Sequence, residues 1–356
     1  MRVAFVGPPF SGKTTLFMAI AEAGGSGVHA DRPDQPHRAV VKVPDERVDW
    51  LCEQYKPEKC THAELELLDL PGFDLTGEAA RQRARAHWPA VRNSDMIVLV
   101  LANFHNSAVP AYRDRLDYLA DLDELRSEML FSDLEQVMNR IEKLQAALKK
   151  PLPDREEKLR ELALMERLQA ALEEEKPLIE AVDSEAEKKA IRAFAFLTLK
   201  PALVVVNCDE GGVPADAAKE VGGLPAVFLS ARIEEEIAAL PAQERGAFLA
   251  DMGIGEPAHD VLIRSCYRSM DLISFLTSGE DECRAWTVRA GTDAVTAAGE
   301  IHSDIARGFI RAEIISYDDL HAAGDEKGAR AAGKFRLEGK TYIVRDGDVV
   351  HFRFSV

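Results

Sequence analysis

The feature that most constrains the fold of this chain is the nine-residue segment 7–15, Gly-Pro-Pro-Phe-Ser-Gly-Lys-Thr-Thr. The apolar residues 3–6 before it predict a buried strand, and the apolar residues 16–20 after it predict a helix. Between such a strand and helix, the pattern G-x-x-x-x-G-K-[ST] is typical of a phosphate-binding loop. Its glycines let backbone N–H groups point inward, and the start of the helix adds positive charge. The sequence therefore predicts a nucleotide-phosphate site here.

Two side chains of this loop have predicted chemical roles. Lys13 is expected to contact the β- and γ-phosphates, and the Thr14 hydroxyl is expected to bind Mg²⁺. A strand–turn–helix without phosphate chemistry is the alternative, but the spacing, the Lys-Thr pair and both flanking elements favour the loop. Further nucleotide contacts are predicted for the neighbouring loop residues Phe10, Ser11, Gly12 and Thr15.

A second motif, Asp69-Leu70-Pro71-Gly72, ends the predicted strand at residues 64–69. A carboxylate at such a strand end, facing a phosphate loop, is suited to holding Mg²⁺ through water. A glycine there can donate its N–H to a γ-phosphate. We therefore predict Asp69 and Gly72 as catalytic residues beside Lys13 and Thr14.

More predicted strands follow at residues 96–101, 201–206 and 226–229, and polar motifs follow the last two. Continuous apolar strands are typical of a parallel sheet buried on both faces. Ligands bind at the carboxyl ends of such strands. The sequence therefore predicts an α/β fold, a parallel sheet with helices on both faces. The nucleotide is expected beside Asn207, Glu210, Ser230, Ala231 and Arg232.

Residues 127–176 are rich in Glu, Lys, Leu and Ala and carry apolar residues at helical spacing on both sides of two prolines. This pattern predicts an antiparallel helical hairpin with arms of about 28 Å. It is either an insertion packed on the body or a projecting arm that contacts a partner, and the charged outer faces favour the arm. The apolar positions are Leu130, Leu134, Val137, Ile141, Leu144 and Leu148, then Leu159, Leu162, Met165, Leu168 and Leu172.

The C-terminal part has a different pattern. Short apolar segments at residues 286–288, 309–316, 340–344 and 349–354 surround an Ala-rich helical stretch that ends near residue 305. These segments predict a compact α+β module. The expected domains are therefore a nucleotide-binding domain at 1–110 and 183–275, a helical arm at 111–182 and a C-terminal domain at 276–356.

Composition limits the partners. The formal net charge is −17, which disfavours broad adhesion to nucleic acid or anionic lipid, so any RNA contact must be local. No apolar run approaches about 18 residues, so we expect a soluble cytoplasmic protein with no membrane partner.

The cysteines are odd in number and scattered, which predicts reduced thiols. A metal site at Cys52, Cys60 and His62 would lack a fourth ligand.

The motifs together resemble those of the YchF or Obg-like ATPase family across essentially the whole chain. The C-terminal segments Phe275-Leu276-Thr277-Ser278-Gly279, Arg284-Ala285-Trp286 and Asp346-Gly347-Asp348 carry much of the resemblance. The resemblance implies a P-loop G domain with a coiled-coil insertion and a C-terminal β-grasp (TGS) domain. It also implies weak hydrolysis of ATP, or of GTP, with Mg²⁺, and regulation linked to the ribosome or to stress. A ribosome or RNA partner rests on resemblance alone.

The base-recognition motif favours adenine. Guanine-binding relatives carry N-K-x-D, whose aspartate accepts two hydrogens from the guanine edge, whereas this chain has Cys208 and Glu210 in place of the lysine and aspartate. Loss of such a bidentate pair costs on the order of 2–4 kcal/mol of guanine preference. We therefore expect ATP to be preferred over GTP.

Several positions depart from switch proteins or from this family. Phe73 stands where small relatives place a water-orienting glutamine, which predicts slow turnover. Pro33 stands where a Mg²⁺-binding threonine is expected, and Phe10 replaces an asparagine that can serve a monovalent cation. Residues 76–85 favour a helix where the family has a glycine-rich loop. Their arginines either meet the phosphates or form a solvated face.

Three functions fit this sequence. The first is a slow Mg²⁺-dependent ATPase acting as a translation-linked or stress-linked switch. The second is a nucleotide-bound interaction module with vestigial hydrolysis, in which the helical arm or the TGS domain binds a protein partner. The third is an ordinary GTPase.

Overall fold

A computed structural model describes residues 1–26, 35–106, 110–151, 153–214 and 216–355. The chain forms two compact units, each built from separate stretches of sequence. The first unit contains residues 1–39 and 67–248, and the second contains residues 40–66 and 249–356.

The elements of the N-terminal half alternate between strands and helices up to a long helical pair. In chain order they are β1 (Arg2–Val6), α1 (Lys13–Ala23), β2 (His37–Lys42), α2 (Glu46–Tyr55), β3 (Lys59–Thr61), β4 (Glu64–Asp69), α3 (Glu78–Arg85), α4 (Trp88–Arg92), β5 (Met96–Asn103), α5 (Tyr118–Leu148) and α6 (Arg155–Glu173).

The C-terminal half resumes the first sheet and then forms the second. Its elements are α7 (Glu185–Ile191), β6 (Ala202–Cys208), β7 (Glu220–Val221), β8 (Leu224–Leu229), α8 (Ala231–Ala239), α9 (Ala242–Asp251), α10 (Ala258–Ser269), β9 (Leu272–Thr277), β10 (Glu282–Arg289), α11 (Ala294–Ile301), α12 (Ser303–Arg307), β11 (Phe309–Ser316), α13 (Tyr317–Ala323), α14 (Glu326–Ala331), β12 (Arg336–Glu338) and β13 (Asp348–Phe354).

A seven-stranded sheet in the order β2-β4-β1-β5-β6-β8-β7 runs through the first unit. Its central strands pair in parallel, β1 with β5, β5 with β6 and β6 with β8. Parallel strands align their carboxyl ends at one edge of the sheet, so the motifs that follow β1, β6 and β8 meet there. The predicted α/β sheet is confirmed, and so are the predicted strands at residues 64–69 and 96–101.

The predicted helical hairpin is confirmed as the pair α5 and α6. Their facing sides share one apolar cluster, which includes Val137, Leu144, Met165 and Leu168. Helix α5 has 31 residues and begins nine residues before the predicted hairpin segment, which starts at residue 127. Its early turns pack on the core of the sheet through Leu122 and its neighbours, so their apolar face continues the sheet core rather than the hairpin seam.

The second unit contains a six-stranded sheet in the order β12-β11-β13-β9-β10-β3. Strand β3 comes from residues 59–61 and pairs in parallel with β10, and the sequence did not reveal it. Strand β9, residues 272–277, pairs with β10 and β13. The predicted domain boundary at 275/276 therefore falls inside a strand of this sheet. Strand β3, which lies in the stretch predicted as nucleotide-binding domain, also belongs to this sheet.

Two further sequence predictions are wrong. Residues 340–344 form no strand, because only Ile343 makes a bridge, to Asp293, within a turn. Cys52 and Cys60 form a disulfide across a Cα–Cα distance of 6.1 Å, because the end of α2 and strand β3 lie side by side. The other three cysteines, Cys208, Cys266 and Cys283, are free, as predicted, and all three are buried.

Within the described ranges, no helix combines the length and the apolar character that crossing a membrane requires.

Candidate nucleotide site

The predicted phosphate loop connects β1 to α1. Gly12 precedes the helix with a φ of 81°, a left-handed conformation that favours glycine. A Cβ atom at Gly12 would lie 2.1 Å from Nδ2 of Asn207, and one at Gly7 would lie 2.3 Å from the carbonyl oxygen of Val100. Both glycines are therefore required by close approach of neighbouring groups as well as by the turn.

Asn207 fixes this loop to the end of strand β8. Its Nδ2 donates to the carbonyl oxygen of Ser11 at 3.1 Å, and its Oδ1 accepts the N–H of Ala231 at 2.9 Å. Ser230 caps α8 through its hydroxyl, which accepts the N–H of Ile233. The asparagine thus joins the phosphate loop and the base-side loop, two segments that are far apart in sequence.

The buried side chains of Lys13 and Asp69 form one cluster with the partly buried Thr14. Lys13 Nζ lies 2.5 Å from Oδ1 of Asp69 and also donates to the carbonyl oxygen of Leu70. The Thr14 hydroxyl donates to Oδ2 of the same carboxylate at 2.8 Å. Burial lowers the pKa of Lys13, and the adjacent Asp69 carboxylate opposes this shift. The three predicted catalytic side chains are therefore brought together.

The segment after Asp69 lies against the phosphate loop. A Cβ atom at Gly72 would come within 2.8 Å of Cα of Pro9. The N–H of Phe73 donates to the carbonyl oxygen of Gly7. The Phe73 ring is fully buried and packs on Trp88 with 4.7 Å between the centroids. The position after Gly72 is therefore a core position here.

A cleft of about 740 Å³ opens beside the loop, between the ends of β5, β6 and β8. All five predicted base-side residues line it. The lining residues named by the sequence are Phe10, Gly12, Thr15, Asn207, Glu210, Ser230, Ala231 and Arg232. Ser11 lies in the adjoining phosphate pocket with Lys13, Thr14 and Gly72.

At the base end of this cleft, Glu210 is already paired. Its Oε1 lies 2.9 Å from Nε of Arg232, and both side chains are more than half exposed. Cys208 is buried beside it, and burial raises the pKa of its thiol. The described positions 207–210 therefore contain no lysine, and both of their carboxylates have partners. Glu210 pairs with Arg232, and Asp209 accepts the N–H of His105.

Phe10 and Ser11 differ sharply in environment. Phe10 has a φ of 64° and a side chain that is 60% exposed, so its ring stands at the mouth of the cleft. A left-handed conformation costs a bulky residue about 1–2 kcal/mol. The Ser11 hydroxyl is buried and has no hydrogen-bond partner among the described residues. An unpartnered buried hydroxyl in this loop fits a site that receives an additional polar group.

The donor set also fits Mg²⁺. A hydroxyl and a carboxylate are hard oxygen ligands, the type that Mg²⁺ binds together with water and phosphate oxygens. Thr14 would hold the ion directly and Asp69 would hold it through water. Within the described ranges, no three His, Cys, Asp or Glu side chains form a metal cluster by themselves. An ion here would therefore depend on the nucleotide for its remaining ligands.

The arginines of the switch segment have acquired other partners. The predicted helix forms as α3, and Arg85 Nε donates to Glu128 Oε1 at 2.7 Å. Arg81 lies 3.7 Å from both Glu124 and Glu128. These arginines therefore contact carboxylates of helix α5. Pro33, the other position questioned in the switch region, lies outside the described residues.

Sequence reasoning missed three residues at this site. His37 Nδ1 lies 3.4 Å from Asp69 Oδ2, and Phe104 and His105 line the base-side cleft. Phe104 and His105 could have been predicted from the sequence, because they directly follow the predicted strand β5 and so lie at the carboxyl edge of the sheet. His37 gave no signal, because its contact depends on the pairing of β2 with β4.

Comparisons with known proteins identify the family. Residues 2–140 match the MMR_HSR1 family, described as 50S ribosome-binding GTPase, and residues 272–355 match YchF-GTPase_C, described as a protein of unknown function (DUF933). The Ribosome-binding ATPase YchF of Haemophilus influenzae is 38% identical, and the match covers 100% of this chain and 99% of that protein. The chain belongs to the YchF/Obg-like ATPase family. The resemblance inferred from the motifs is thereby confirmed.

Two other relatives extend this result. Obg-like ATPase 1 of Oryza sativa subsp. japonica is 34% identical, with 100% of this chain and 92% of that protein covered. The YchF GTPase structure from Schizosaccharomyces pombe superposes with a TM-score of 0.85 at 29% identity, covering 99% of this chain and 97% of that one. The fold of this YchF-family chain is therefore that of a solved family member.

One carboxyl group next to the loop has an unusual pKa. Burial raises the pKa of Asp121, in the first turn of α5, to about 6, although Arg115 pairs with it at 3.0 Å. Asp121 lines a small cavity shared with Pro8, Pro9 and Phe10. Its ionisation is therefore coupled to the packing beside the phosphate loop.

This shift predicts a pH dependence of stability. A carboxyl whose pKa is raised by folding stabilises the fold fully below its unfolded pKa, near 4, and this contribution is lost as the pH rises through 6. We expect the free energy of unfolding to fall by about 2–3 kcal/mol from this group between pH 4 and pH 8. In urea titrations across that range, Asp121→Asn should remove this part of the dependence. Asp123→Asn, at an exposed position on the same helix, should retain this part of the pH dependence. The same change of unfolding free energy with pH in both variants would contradict the assignment to Asp121.

Proposed function

We propose that this chain is a slow Mg²⁺-dependent ATPase that prefers ATP to GTP. The observation that carries the base preference is the pairing of Glu210 with Arg232 at the base end of the cleft. Guanine recognition needs a carboxylate placed to accept two hydrogens, and here the carboxylate is one methylene longer than the aspartate of N-K-x-D and is turned toward a guanidinium. The names of the relatives differ on the nucleotide, ATPase in one case and GTPase in another, so this local geometry is the deciding argument.

The phosphate end supports hydrolysis. Lys13 would leave Asp69 and contact the β- and γ-phosphates, and Gly72 lines the same pocket, where its N–H can donate to a γ-phosphate. Bound Mg²⁺ would neutralise phosphate charge, held by Thr14 and, through water, by Asp69. The buried Phe73 supplies no hydrogen-bonding group to orient the attacking water, which supports slow intrinsic turnover.

We further propose that the ATPase acts as a switch on the ribosome. The support is the name of the relatives, ribosome-binding ATPase, together with a phosphate loop in direct contact with the segment at Gly72. A γ-phosphate that binds both segments would shift the population toward one arrangement of the segment after Asp69. The hairpin α5–α6 or the C-terminal domain would then bind the partner.

Calorimetric titration with non-hydrolysable ATP and GTP analogues tests the base preference. We expect at least about tenfold tighter binding of the ATP analogue, and the double variant C208K/E210D should shift the ratio toward GTP by about 30-fold, which corresponds to about 2 kcal/mol. Glu210→Asp alone serves if the buried lysine prevents folding. Glu236→Asp, which changes another neighbour of Arg232, should leave the ratio unchanged. Equal affinity of the unmodified chain for both analogues would contradict the proposal.

A further inference from the structure

The two oxygens of the Asp69 carboxylate have different neighbours. Oδ1 accepts from Lys13, whereas Oδ2 is approached by the Thr14 hydroxyl at 2.8 Å and by Nδ1 of His37 at 3.4 Å. Asp69 lies at the end of β4, Thr14 at the start of α1 and His37 at the start of β2. A hydroxyl oxygen, a carboxylate oxygen and an imidazole nitrogen therefore converge at Oδ2.

Thr14 and His37 reach the same oxygen of Asp69 from two different elements. Thr14 would hold the ion directly and Asp69 would hold it through water, so the ion would lie beside Oδ2. The His37 nitrogen, 3.4 Å from that oxygen, is then placed next to the ion and can supply a further ligand.

The orientation of His37 is fixed by its surroundings. The residue is the first of strand β2, its side chain is largely buried, and its ring packs against Phe17 with 6.4 Å between the centroids. Packing of this kind limits the rotamers that the imidazole can adopt. The approach of Nδ1 to Asp69 is therefore held by the fold of the first unit.

We propose that His37 is a ligand of the divalent cation that accompanies the nucleotide, so that this site favours Mn²⁺ or Co²⁺ over Mg²⁺ more strongly than an all-oxygen site would. Imidazole nitrogen binds first-row transition metals better than it binds Mg²⁺, which prefers oxygen ligands. The inference rests on the proposed nucleotide-binding function, since the nucleotide phosphates must supply further ligands. It assigns this chain a cation preference through a residue outside the recognised nucleotide motifs.

The test uses Mn²⁺ and a non-hydrolysable ATP analogue with the full chain. Pulsed electron paramagnetic resonance should detect ¹⁴N coupling from a directly bound imidazole in the unmodified protein and not in His37→Asn. Calorimetry of the same analogue with Mn²⁺ or with Mg²⁺ should show that the Mn²⁺/Mg²⁺ affinity ratio falls by about tenfold in His37→Asn. The exposed His351→Asn is the matched control and should retain both signals.

The outcomes separate this inference from the function on which it rests. Nucleotide binding with no ¹⁴N coupling and an unchanged ratio would overturn the role of His37 and leave the proposed ATPase intact. An equal loss of affinity in Mn²⁺, Mg²⁺ and EDTA would also overturn it, because His37 would then contact phosphate rather than the cation. Absence of nucleotide binding with every cation would overturn the proposed function and this inference together.

Discussion

Replacement of Lys13 by alanine is expected to lower nucleotide hydrolysis by about 10²–10³-fold, the loss typical of removing one preorganised charge-stabilising donor. Lys13 is only 5% exposed and is the cation at the base of the phosphate pocket. Without its ammonium, the γ-phosphate loses a charge-assisted contact that strengthens as negative charge develops. Single-turnover phosphate release with ATP and Mg²⁺ measures the effect.

The substitution also leaves Asp69 without its main partner, which could reduce stability independently of catalysis. The double variant K13A/D69N removes the buried charge as well and shows whether the fold is maintained, by its melting temperature. Lys42→Ala, at an exposed position on β2, is a matched control that should hydrolyse at the unchanged rate. Hydrolysis by a folded Lys13→Ala protein at the unmodified rate would refute the catalytic role of the lysine and the proposed ATPase.

Replacement of Asp133 by alanine is expected to destabilise the first unit by about 3–5 kcal/mol, because it leaves a largely buried cation, Arg92, without its counter-ion and two backbone N–H groups without their acceptor. The Asp133 side chain is fully buried in α5 and accepts from Arg92 at 2.8 Å. It also accepts from the N–H groups of Leu197 and Thr198 and from the Thr198 hydroxyl. One carboxylate thus joins helices α4 and α5 to the segment before β6.

Urea denaturation of the unmodified protein and of Asp133→Ala measures this loss of stability directly. Glu135→Ala, an exposed acidic position two residues further along α5, is the control and should change the free energy of unfolding by less than about 0.5 kcal/mol. The loss of unfolding free energy in Asp133→Asn should lie between those of Asp133→Ala and Glu135→Ala, because asparagine retains an oxygen acceptor while it removes the charge. A loss below about 1 kcal/mol in Asp133→Ala would show that the network contributes little.

The sequence predicted the features that local rules determine. The phosphate loop follows from residue spacing, and the meeting of Asp69, Asn207 and Ser230 with that loop follows from the common edge of parallel strands. The switch helix α3 follows from the helix propensity of Ala and Arg. In each case, neighbouring residues in sequence carry enough information to place the element.

Pairings between distant segments could not be predicted in this way. The arginines of α3 were expected on phosphates or in solvent, yet Arg85 pairs with Glu128, 43 residues later. The Cys52–Cys60 disulfide depends on strand β3, which is three residues long and is defined by its pairing with β10. His37 contacts Asp69 only because of the strand order in the sheet. Such contacts depend on topology, and short strands lack a periodic pattern of their own.

The discontinuity of the second unit has a consequence for folding during synthesis. Residues 59–61 form an edge strand whose partner, β10, begins at residue 282, so this strand cannot pair until more than 200 further residues have left the ribosome. The first unit contains no residue beyond 248, and its sheet takes β2 and β4 from either side of residues 43–63. The nucleotide-binding unit can therefore fold first on the ribosome, with strand β3 unpaired in the connection between β2 and β4 until β10 emerges.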